Sequence, residues 1–278
     1  MTTTLRPTGP EQPGPEGRRG RDYEVCVNSR PVGAIELTTD SRFGPGVGRI
    51  LGLRIDGADR RRGRGVVAAL AAEEVLRGWG CRRVEVSIPA DAVAARRLAD
   101  ALGYTERNRN MVKRLPEQPP ALPEDTEARP MNGPEFAAWL EATKRAYAKH
   151  WIDRGVPEEQ ARAKSEADHT TKLPDGIHTF AAVLRVLSHR GTDVGTLWLS
   201  LAEELPDDAD GFVFDVVVAA AHRGHGHGRS LMLLAEQECR GAGDRLGLNV
   251  FADNTPATGL YESLGYEPTR HHLYKPLI

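Results

Sequence analysis

The feature that most constrains the fold of this chain is an internal repeat. The stretch DRRRGRGVVAALAAEE, followed by VEVSIPADAVAARRLADALGY, is matched later by HRGHGHGRSLMLLAEQ followed by LGLNVFADNTPATGLYESLGY. Arg60 aligns with Arg223 at an offset of 163 residues, and Tyr104 aligns with Tyr266 at an offset of 162. Because the glycines, the intervening strand and the LGY ending recur in the same order, we interpret the chain as two copies of one unit, differing by a single-residue gap.

The composition of two segments sets the predicted domain boundaries. The chain has 278 residues, enough for two domains of ordinary size. Residues 1–21 are crowded with Pro and Gly and hold no apolar signal-peptide core, which predicts a disordered tail. The stretch LPEQPPALPEDTEARP has five prolines and four acidic residues, which favours an exposed linker. We therefore expect a first copy at 22–115, a Pro-rich linker at 116–128 and a second copy at 129–278.

Hydrophobic periodicity gives the order of elements within each copy. The second copy is predicted to run ααβββαβαβ, whereas the first has only βββαβαβ because its helical start is missing. Asn132 and Glu135 flank Pro134 in the manner of a capping box, which predicts the start of the first helix there. A hairpin through His271 and His272 is expected to close the second copy.

A glycine-rich turn is the sharpest chemical feature. Arg223 to Gly228 reads RGHGHG at a predicted strand-to-helix junction. Glycines allow the backbone to turn tightly so that several amides converge on one anion, and the helix N-terminus adds its positive dipole. A phosphate or pyrophosphate is the expected ligand. The dinucleotide fingerprint fails because Arg229 and Leu231 occupy the third-glycine positions, and no P-loop sequence exists.

Two motifs together resemble a known family. The turn fits Arg-x-x-Gly-x-Gly, and the later stretch Asn254-x-x-Ala257-x-x-x-Tyr261-x-x-x-Gly265-Tyr266 fits a second pattern. Together they resemble the GNAT superfamily of N-acetyltransferases, and LPDGIHT, VGTLWLSL and FVFDV resemble one bacterial subfamily of it. The resemblance covers the whole second copy and, more loosely, most of the first.

The resemblance implies an α+β fold with two tandem GNAT units, each a twisted mixed sheet flanked by helices, the first truncated. It implies acetyl-CoA as cosubstrate, with its pyrophosphate on the turn, its pantetheine arm on Asn254 and the thioester oxygen near a backbone N–H of Val217 or Val218. The implied cofactor-binding residues are Val216, Val217, Val218, Arg223, Gly224, His225, Gly226, His227, Gly228, Arg229, Asn254 and Tyr261.

Two residues are the catalytic candidates. Tyr261 matches the family's general acid, whose phenol protonates the leaving thiolate; the alternative is an amphipathic core residue at helical spacing. Asp215 lies inside the apolar strand FVFDVVV, where an unpaired carboxylate is costly. It is either the base that deprotonates the amine or a structural hydrogen-bonding group. Ala99 and Ala92 stand where the second copy has Tyr261 and Asn254, so catalysis is expected in the second copy alone.

Charge and composition exclude other classes of function. The formal charge of −2, and an arginine run at 60–64 without aromatic residues, argue against a nucleic-acid partner. No apolar stretch is long enough for a membrane span. Three cysteines without metal-ligand spacing indicate reduced thiols in a cytoplasmic protein. The HxxHxH spacing of His222, His225 and His227 is not a zinc pattern, so no metal is expected.

The identity of the acceptor substrate is the part of the function that the sequence constrains least. The leading hypothesis is a primary amine of a small molecule; the alternatives are a peptide or protein amine, or a noncatalytic acyl-CoA-binding module. The aromatic candidates for lining the acceptor pocket are Trp139, Tyr147, Trp151, Phe180 and Trp198, and for each one separately a plain core role is the favoured interpretation. Because a covalent tandem supplies pairing within one chain, a monomer is favoured over a dimer.

Overall fold

The computed structural model describes residues 2–14, 18–40 and 46–277. Contacts divide the chain into two compact units: unit 1 is Met1–Asn108 with Arg270–Ile278, and unit 2 is Arg109–Thr269. Both combine β-strands with flanking helices, which confirms the predicted α+β class. None of the helices in the described ranges is long and apolar enough to cross a membrane.

Unit 1 is a mixed sheet with two helices. Its elements are β1 (Thr3–Pro7), β2 (Gln12–Pro13), β3 (Arg19–Val27), β4 (Arg30–Thr39), β5 (Val47–Ile55), α1 (Arg64–Gly78), β6 (Arg83–Pro89), α2 (Val93–Ala101) and the start of β7 (Thr105–Arg114). Neighbouring strands from β1 through β3 and β4 to β5 are antiparallel, and β6 lies parallel to β5. Leu37, Leu76 and Val84 are fully buried between this sheet and its helices.

Unit 2 has the longer set of helices. Its elements after β7 are β8 (Thr126–Pro130), α3 (Gly133–Ile152), α4 (Glu158–Lys172), β9 (Ala182–His189), β10 (Thr192–Ser200), β11 (Gly211–Val218), α5 (His227–Arg240), β12 (Arg245–Phe251), α6 (Thr255–Ser263) and the start of β13 (Glu267–Pro276). The strand order is β7-β12-β11-β10-β9-β8. Strands β8 to β11 pair antiparallel, whereas β11 and β12 are parallel.

Helix α3 begins at the predicted capping box. The backbone N–H of Asn132 donates to the Glu135 carboxylate at 2.9 Å, and the backbone N–H of Glu135 donates to Asn132 Oδ1 at 3.0 Å. Each side chain satisfies an amide that the helix itself leaves without a partner. This start site is local in sequence, and the prediction is confirmed.

The N-terminal stretch differs from the expected disordered tail. Thr3–Pro7 forms β1 and pairs antiparallel with β3, with Thr3 opposite Val27 and Pro7 opposite Tyr23. The expectation of disorder at 1–21 is therefore wrong for these residues; residues 15–17 of the predicted tail lie outside the described ranges. Proline and glycine lower the propensity for a strand, but pairing along the free edge of β3 satisfies the backbone groups of β1.

The last strand of each copy is divided between the units. Residues 270–276 of β13 belong to unit 1, where they pair antiparallel with β6 from Arg270–Pro89 to Pro276–Arg83. Residues 109–114 of β7 belong to unit 2. The units are therefore not the contiguous segments 22–115 and 129–278. The predicted hairpin through His271 and His272 is also wrong, because both residues lie within the single strand β13.

Both units carry a β-bulge at the same position of the repeat. In unit 2 the register of β10 and β11 shifts beside Trp198, which leaves Phe214 as an extra residue on β11. In unit 1 the register of β4 and β5 shifts beside Glu36, which leaves Leu51 as an extra residue on β5. A bulge bends the strand that carries it and ends regular pairing. The repeat therefore preserves a distortion as well as a fold.

The parallel pairing next to each bulge is short. In unit 2 the β11–β12 ladder ends at the Val213–Leu248 pair, although both strands continue. In unit 1 the β5–β6 ladder ends at Ile50–Val86. Beyond Val213 the edge of β11 that faces β12 has no ladder partner in the described part of the chain. Regular pairing between the two strands therefore stops at this point, and we call the unpaired stretch between them the gap in the sheet.

The sheet of unit 2 packs on both faces. Leu197, Leu231 and Met232 are fully buried on the face covered by α5. Trp139 and Trp198 are buried on the opposite face, which α3 covers. The gap between β11 and β12 therefore lies in a sheet supported from both sides.

Candidate active site

The glycine-rich turn follows β11 and leads into α5. Gly224 and Gly226 have φ of 78° and 85°, a region that side-chain-bearing residues seldom adopt. The Arg223 guanidinium donates from Nε to the carbonyl oxygen of Val218 at 3.2 Å, which ties the start of the turn to the end of β11. Helix α5 begins directly after Gly226, which offers no capping side chain.

Five consecutive amides of this turn are available to a ligand. Within the described residues, the backbone N–H groups of residues 224–228 have no hydrogen-bond acceptor, whereas Arg229 and Ser230 donate to the carbonyl of Gly226. A Cβ on Gly228 would lie 3.3 Å from Leu260 Cδ2. Because glycine has no side chain, the space between Gly228 and Leu260 stays open. A nest of free amides at the N-terminus of a helix is suited to a diphosphate.

Asp215 lies just beyond the bulge, on the α3 face of the sheet. It pairs across the strands with Trp198, and residues directly opposite one another share a face. Trp139 Nε1–H donates to Asp215 Oδ2 at 3.1 Å, and the Thr143 hydroxyl donates to the same oxygen at 3.4 Å. Burial raises the pKa of Asp215 to about 6, against the lowering effect of these two hydrogen bonds. A carboxylate with this pKa is ionised at neutral pH yet accepts a proton readily.

Tyr261 lies half-buried on α6. Its ring centroid is 6.0 Å from that of Tyr266, in an edge-on arrangement. Burial, followed by the negative charge of Asp215, raises the pKa of Tyr261 to about 12. No side chain among the described residues accepts a hydrogen bond from its hydroxyl. The phenol is therefore protonated at neutral pH, and its proton affinity responds to the charge on Asp215.

Asn254 forms the N-cap of α6. Its Oδ1 accepts a hydrogen bond from the backbone N–H of Ala257 at 3.3 Å, and its carbonyl accepts from Thr258. The cap uses the oxygen of the side-chain amide and leaves the NH₂ group as a donor. The motif asparagine therefore has a structural role at the helix start, and its predicted pantetheine contact would use the other end of the amide.

The aromatic candidates separate into three groups. Trp139 and Trp198 lie beside Asp215 with ring centroids 5.6 Å apart. Tyr147 and Trp151 contact each other on α3, and the Tyr147 hydroxyl donates to Asp168 at 2.8 Å. Phe180 is 93% exposed. Only the first pair borders the candidate base.

The copy of this site in unit 1 keeps the turn but not the chemistry. Arg60 Nε donates to the carbonyl of Ile55 at 2.7 Å, as Arg223 does to Val218. Gly52 takes the place of Asp215 after the bulge. Arg61, at φ 56°, takes the place of Gly224. Ala99 and Ala92 occupy the positions of Tyr261 and Asn254, so unit 1 lacks the candidate acid and the pantetheine asparagine as well as the candidate base.

Two features of the site were missed at the sequence level. The hydrogen bonds of Trp139 and Thr143 to Asp215 join segments more than 70 residues apart. The only available signal was their i, i+4 spacing, which places both on one face of α3. His189, at the end of β9, lies with its ring 5.2 Å from that of His227 in the turn, and nothing in its local sequence predicts this. In the described ranges, no three His, Cys, Asp or Glu side chains are arranged to hold a metal ion.

Sequence comparisons identify the family of this chain. The model of the Acetyltransferase (GNAT) family matches residues 11–104 and 136–266, one match in each copy. The uncharacterized N-acetyltransferase YycN of Bacillus subtilis is 33% identical over 144 residues, covering 50% of this chain and 91% of the relative. A mycothiol acetyltransferase of Thermobispora bispora is 32% identical over 218 residues, covering 74% of this chain and 68% of the relative.

Solved structures share the fold. A tandem GNAT protein from the clavulanic acid biosynthesis pathway matches with a TM-score of 0.52 and 19% identity, covering 96% of this chain and 85% of that one. A GCN5-related N-acetyltransferase from Sphaerobacter thermophilus matches with a TM-score of 0.57 and 20% identity, covering 92% and 80%. The first likeness extends over both copies of the repeat.

Proposed function

Because this chain belongs to the GNAT acetyltransferase family and is an N-acetyltransferase, we propose that it transfers an acetyl group from acetyl-CoA to a primary amine of a small molecule. The reaction is assigned to unit 2. The observation that carries the proposal is the row of five free backbone amides at residues 224–228, at the end of the strand on which Asp215 lies beside the unpaired stretch of the sheet.

Acetyl-CoA supplies an activated thioester when bound. The free amides of residues 224–228 would hold its diphosphate, with Arg223 and Arg229 flanking the turn. The unpaired edge of β11 at residues 216–218 would lie along the pantetheine arm, and Val217 is 41% exposed there. The amide NH₂ of Asn254 is a donor for the same arm.

Asp215 and Tyr261 divide the proton transfers. The amine must lose a proton to attack, and Asp215, with a pKa of about 6, is ionised and able to accept it at neutral pH. Tyr261 is protonated and able to donate to the leaving sulfur. Burial is the main cause of the raised pKa of Tyr261, and the charge of Asp215 adds to it.

The surroundings of Asp215 support a small acceptor with one reactive ammonium group. Trp139 and Trp198 border the carboxylate, and aromatic faces attract cations. A small-molecule acceptor is also what the name of the mycothiol acetyltransferase relatives indicates for those proteins. The alternatives are a peptide or protein amine, and a module that binds acyl-CoA without turnover.

A thiol-release assay tests the proposal. Acetyl-CoA is incubated with the protein and a panel of small amines, amino sugars, amino acids and peptides, and free CoA thiol is followed with time. Release with small amines supports the proposal, whereas release with peptides alone favours the peptide acceptor. Measurable CoA binding without release above hydrolysis would leave the binding-module alternative.

The setting of the reaction is part of the same proposal. The three cysteines are buried and free, which suits a reducing cytoplasm. The repeat favours a monomer. Light scattering at a stable mass of twice the 30.4 kDa of the chain would show a dimer instead.

A further inference from the structure

Four histidines gather around the first residue of α5. The ring of His227 lies 5.2 Å from His189, 6.3 Å from His225 and 6.4 Å from His222, measured between centroids. We call these four residues the histidine cluster. His189 reaches it from the end of β9, and the other three lie in or next to the glycine-rich turn.

His227 is the buried centre of the cluster. Its exposure is 8%. Its pKa is lowered by burial and by the charges of the three neighbouring imidazoles. No carboxylate is among the groups that act on it. Arg223 and Arg229 flank the same turn and add positive charge to it. On the side of β8 the Thr126 hydroxyl lies 3.2 Å from His189 Nδ1, and the nearby carboxylate of Asp125 is paired with Arg190 at 3.2 Å.

The cluster favours neutral rings unless an anion is present. Protonated imidazoles this close together repel one another, and nothing in the turn offsets that repulsion until an anion binds. A diphosphate on the amides of residues 224–228 brings two negative charges to the residues that carry His225 and His227. Those charges reverse the sign of the local potential and favour imidazolium over imidazole.

We propose that the histidine cluster takes up a proton from solvent when the diphosphate of coenzyme A occupies the turn, so that cosubstrate affinity rises as pH falls. The inference rests on the proposed function, because it assigns the turn to coenzyme A. The inference adds His189 and His222 to the binding site, and it couples binding of the diphosphate to uptake of a proton. By linkage, each proton taken up on binding gives about a tenfold gain in affinity per pH unit.

Isothermal titration calorimetry measures this uptake directly. The full-length protein is titrated with dephospho-CoA, which lacks the 3′-phosphate that itself titrates near neutral pH, so the ligand keeps a constant charge. Titrations at pH 6.5–7 in two buffers of different ionisation enthalpy give the number of protons bound. We expect a sizeable fraction of a proton, and an affinity about fivefold to tenfold higher at pH 6 than at pH 8.

Three variants locate the source of the proton. His227→Gln and His189→Gln should each remove about half or more of the uptake and flatten the pH dependence. His178→Gln changes an exposed histidine outside the cluster and should leave both unchanged. His189 lies at a strand end, so its variant preserves the test where His227→Gln does not fold.

The outcomes are separable. Binding without proton uptake, or uptake that both cluster variants retain in full, overturns the inference and leaves the proposed function standing. Failure of dephospho-CoA and CoA to bind at any pH overturns the proposed function, and the inference falls with it.

Discussion

The indole N–H of Trp139 donates to Oδ2 of Asp215 across 3.1 Å, from helix α3 to strand β11. The bond holds the carboxylate beside the gap in the sheet and stabilises its ionised form. Burial acts in the opposite direction and is the larger effect, which leaves the pKa of Asp215 at about 6. The proton affinity of the candidate base is therefore set by a balance that substitution can shift in a known direction.

The first prediction concerns pH. Only ionised Asp215 can accept a proton, so kcat/KM for the amine, measured at saturating acetyl-CoA, should fall about tenfold per pH unit below pH 6 and level off above it. Asp215→Asn should lower kcat by about 10²- to 10⁴-fold and abolish this limb. Steady-state rates between pH 5 and pH 8 provide the measurement. A variant that keeps the wild-type profile would assign Asp215 the structural role alone.

The second prediction separates the hydrogen bond of Trp139 from its packing. Trp139→Phe removes the donor that lowers the pKa of Asp215, so the acid limb of the rate profile should move to higher pH. Trp198→Phe is the matched control, because Trp198 Nε1 is buried without a hydrogen-bond partner in the same aromatic cluster. An equal shift of the acid limb in both variants would show that packing, and not the hydrogen bond, governs the pKa of Asp215.

The third prediction concerns the acid. Tyr261→Phe should lower kcat by about 10²- to 10⁴-fold while acetyl-CoA affinity stays nearly unchanged. Tyr266→Phe removes the neighbouring hydroxyl, which donates to Glu236 at 3.4 Å, and should affect stability more than turnover. Rates and CoA titrations on both variants distinguish the roles. Full activity in Tyr261→Phe would mean that the thiolate leaves without this donor.

The fourth prediction compares the two turns. Gly226 and Gly63 both have positive φ, 85° and 73°, and neither has an atom within 4 Å of an added Cβ. Glutamate at either position therefore carries the same backbone strain and the same charge. Gly226→Glu should raise the KM for acetyl-CoA by an order of magnitude or more, because it places a carboxylate at the diphosphate site. Gly63→Glu should keep kcat and KM within about twofold; loss of activity in that folded variant would assign catalysis to unit 1 as well.

The fifth prediction follows from the divided strands. Residues 1–120 expressed alone lack the segment of β13 that pairs with β6, and residues 121–278 lack the part of β7 in unit 2. Neither piece should give an active, cooperatively folded protein, whereas the two coexpressed should copurify with activity. Cleaving a protease site inserted within 116–125 of the folded chain should leave activity intact. A fully active, monomeric 121–278 would contradict the prediction.

The sequence predicted those features that depend only on residues close to one another in the chain. The capping box at Asn132 and the turn at Gly226 depend on residues within four positions of each other, and both were found from sequence. The partners of Asp215 come from α3, and the bulge at Phe214 is defined only by the register against β10. Neither leaves a periodic signal.

The division of β7 and β13 between the two units could not be predicted from the sequence for a different reason. The two LGY endings are nearly the same, so each following strand fits the sheet of either copy. Alternation of residues shows that a segment is a strand but not which strand it pairs with. The N-terminal strand β1 was missed because edge pairing outweighed a composition typical of disorder.

The pairing of β13 with β6 also determines when unit 1 can complete its sheet during biosynthesis. Residues 270–276 leave the ribosome more than 150 residues after the rest of unit 1 has been made. At ordinary translation rates of 5–20 residues per second, β6 waits about ten to thirty seconds for its neighbour. Unit 1 therefore cannot finish folding before unit 2 has been synthesised, as it would if the two domains folded one after the other on the ribosome. Its nascent chain must carry an unfinished sheet edge until the final strand is released.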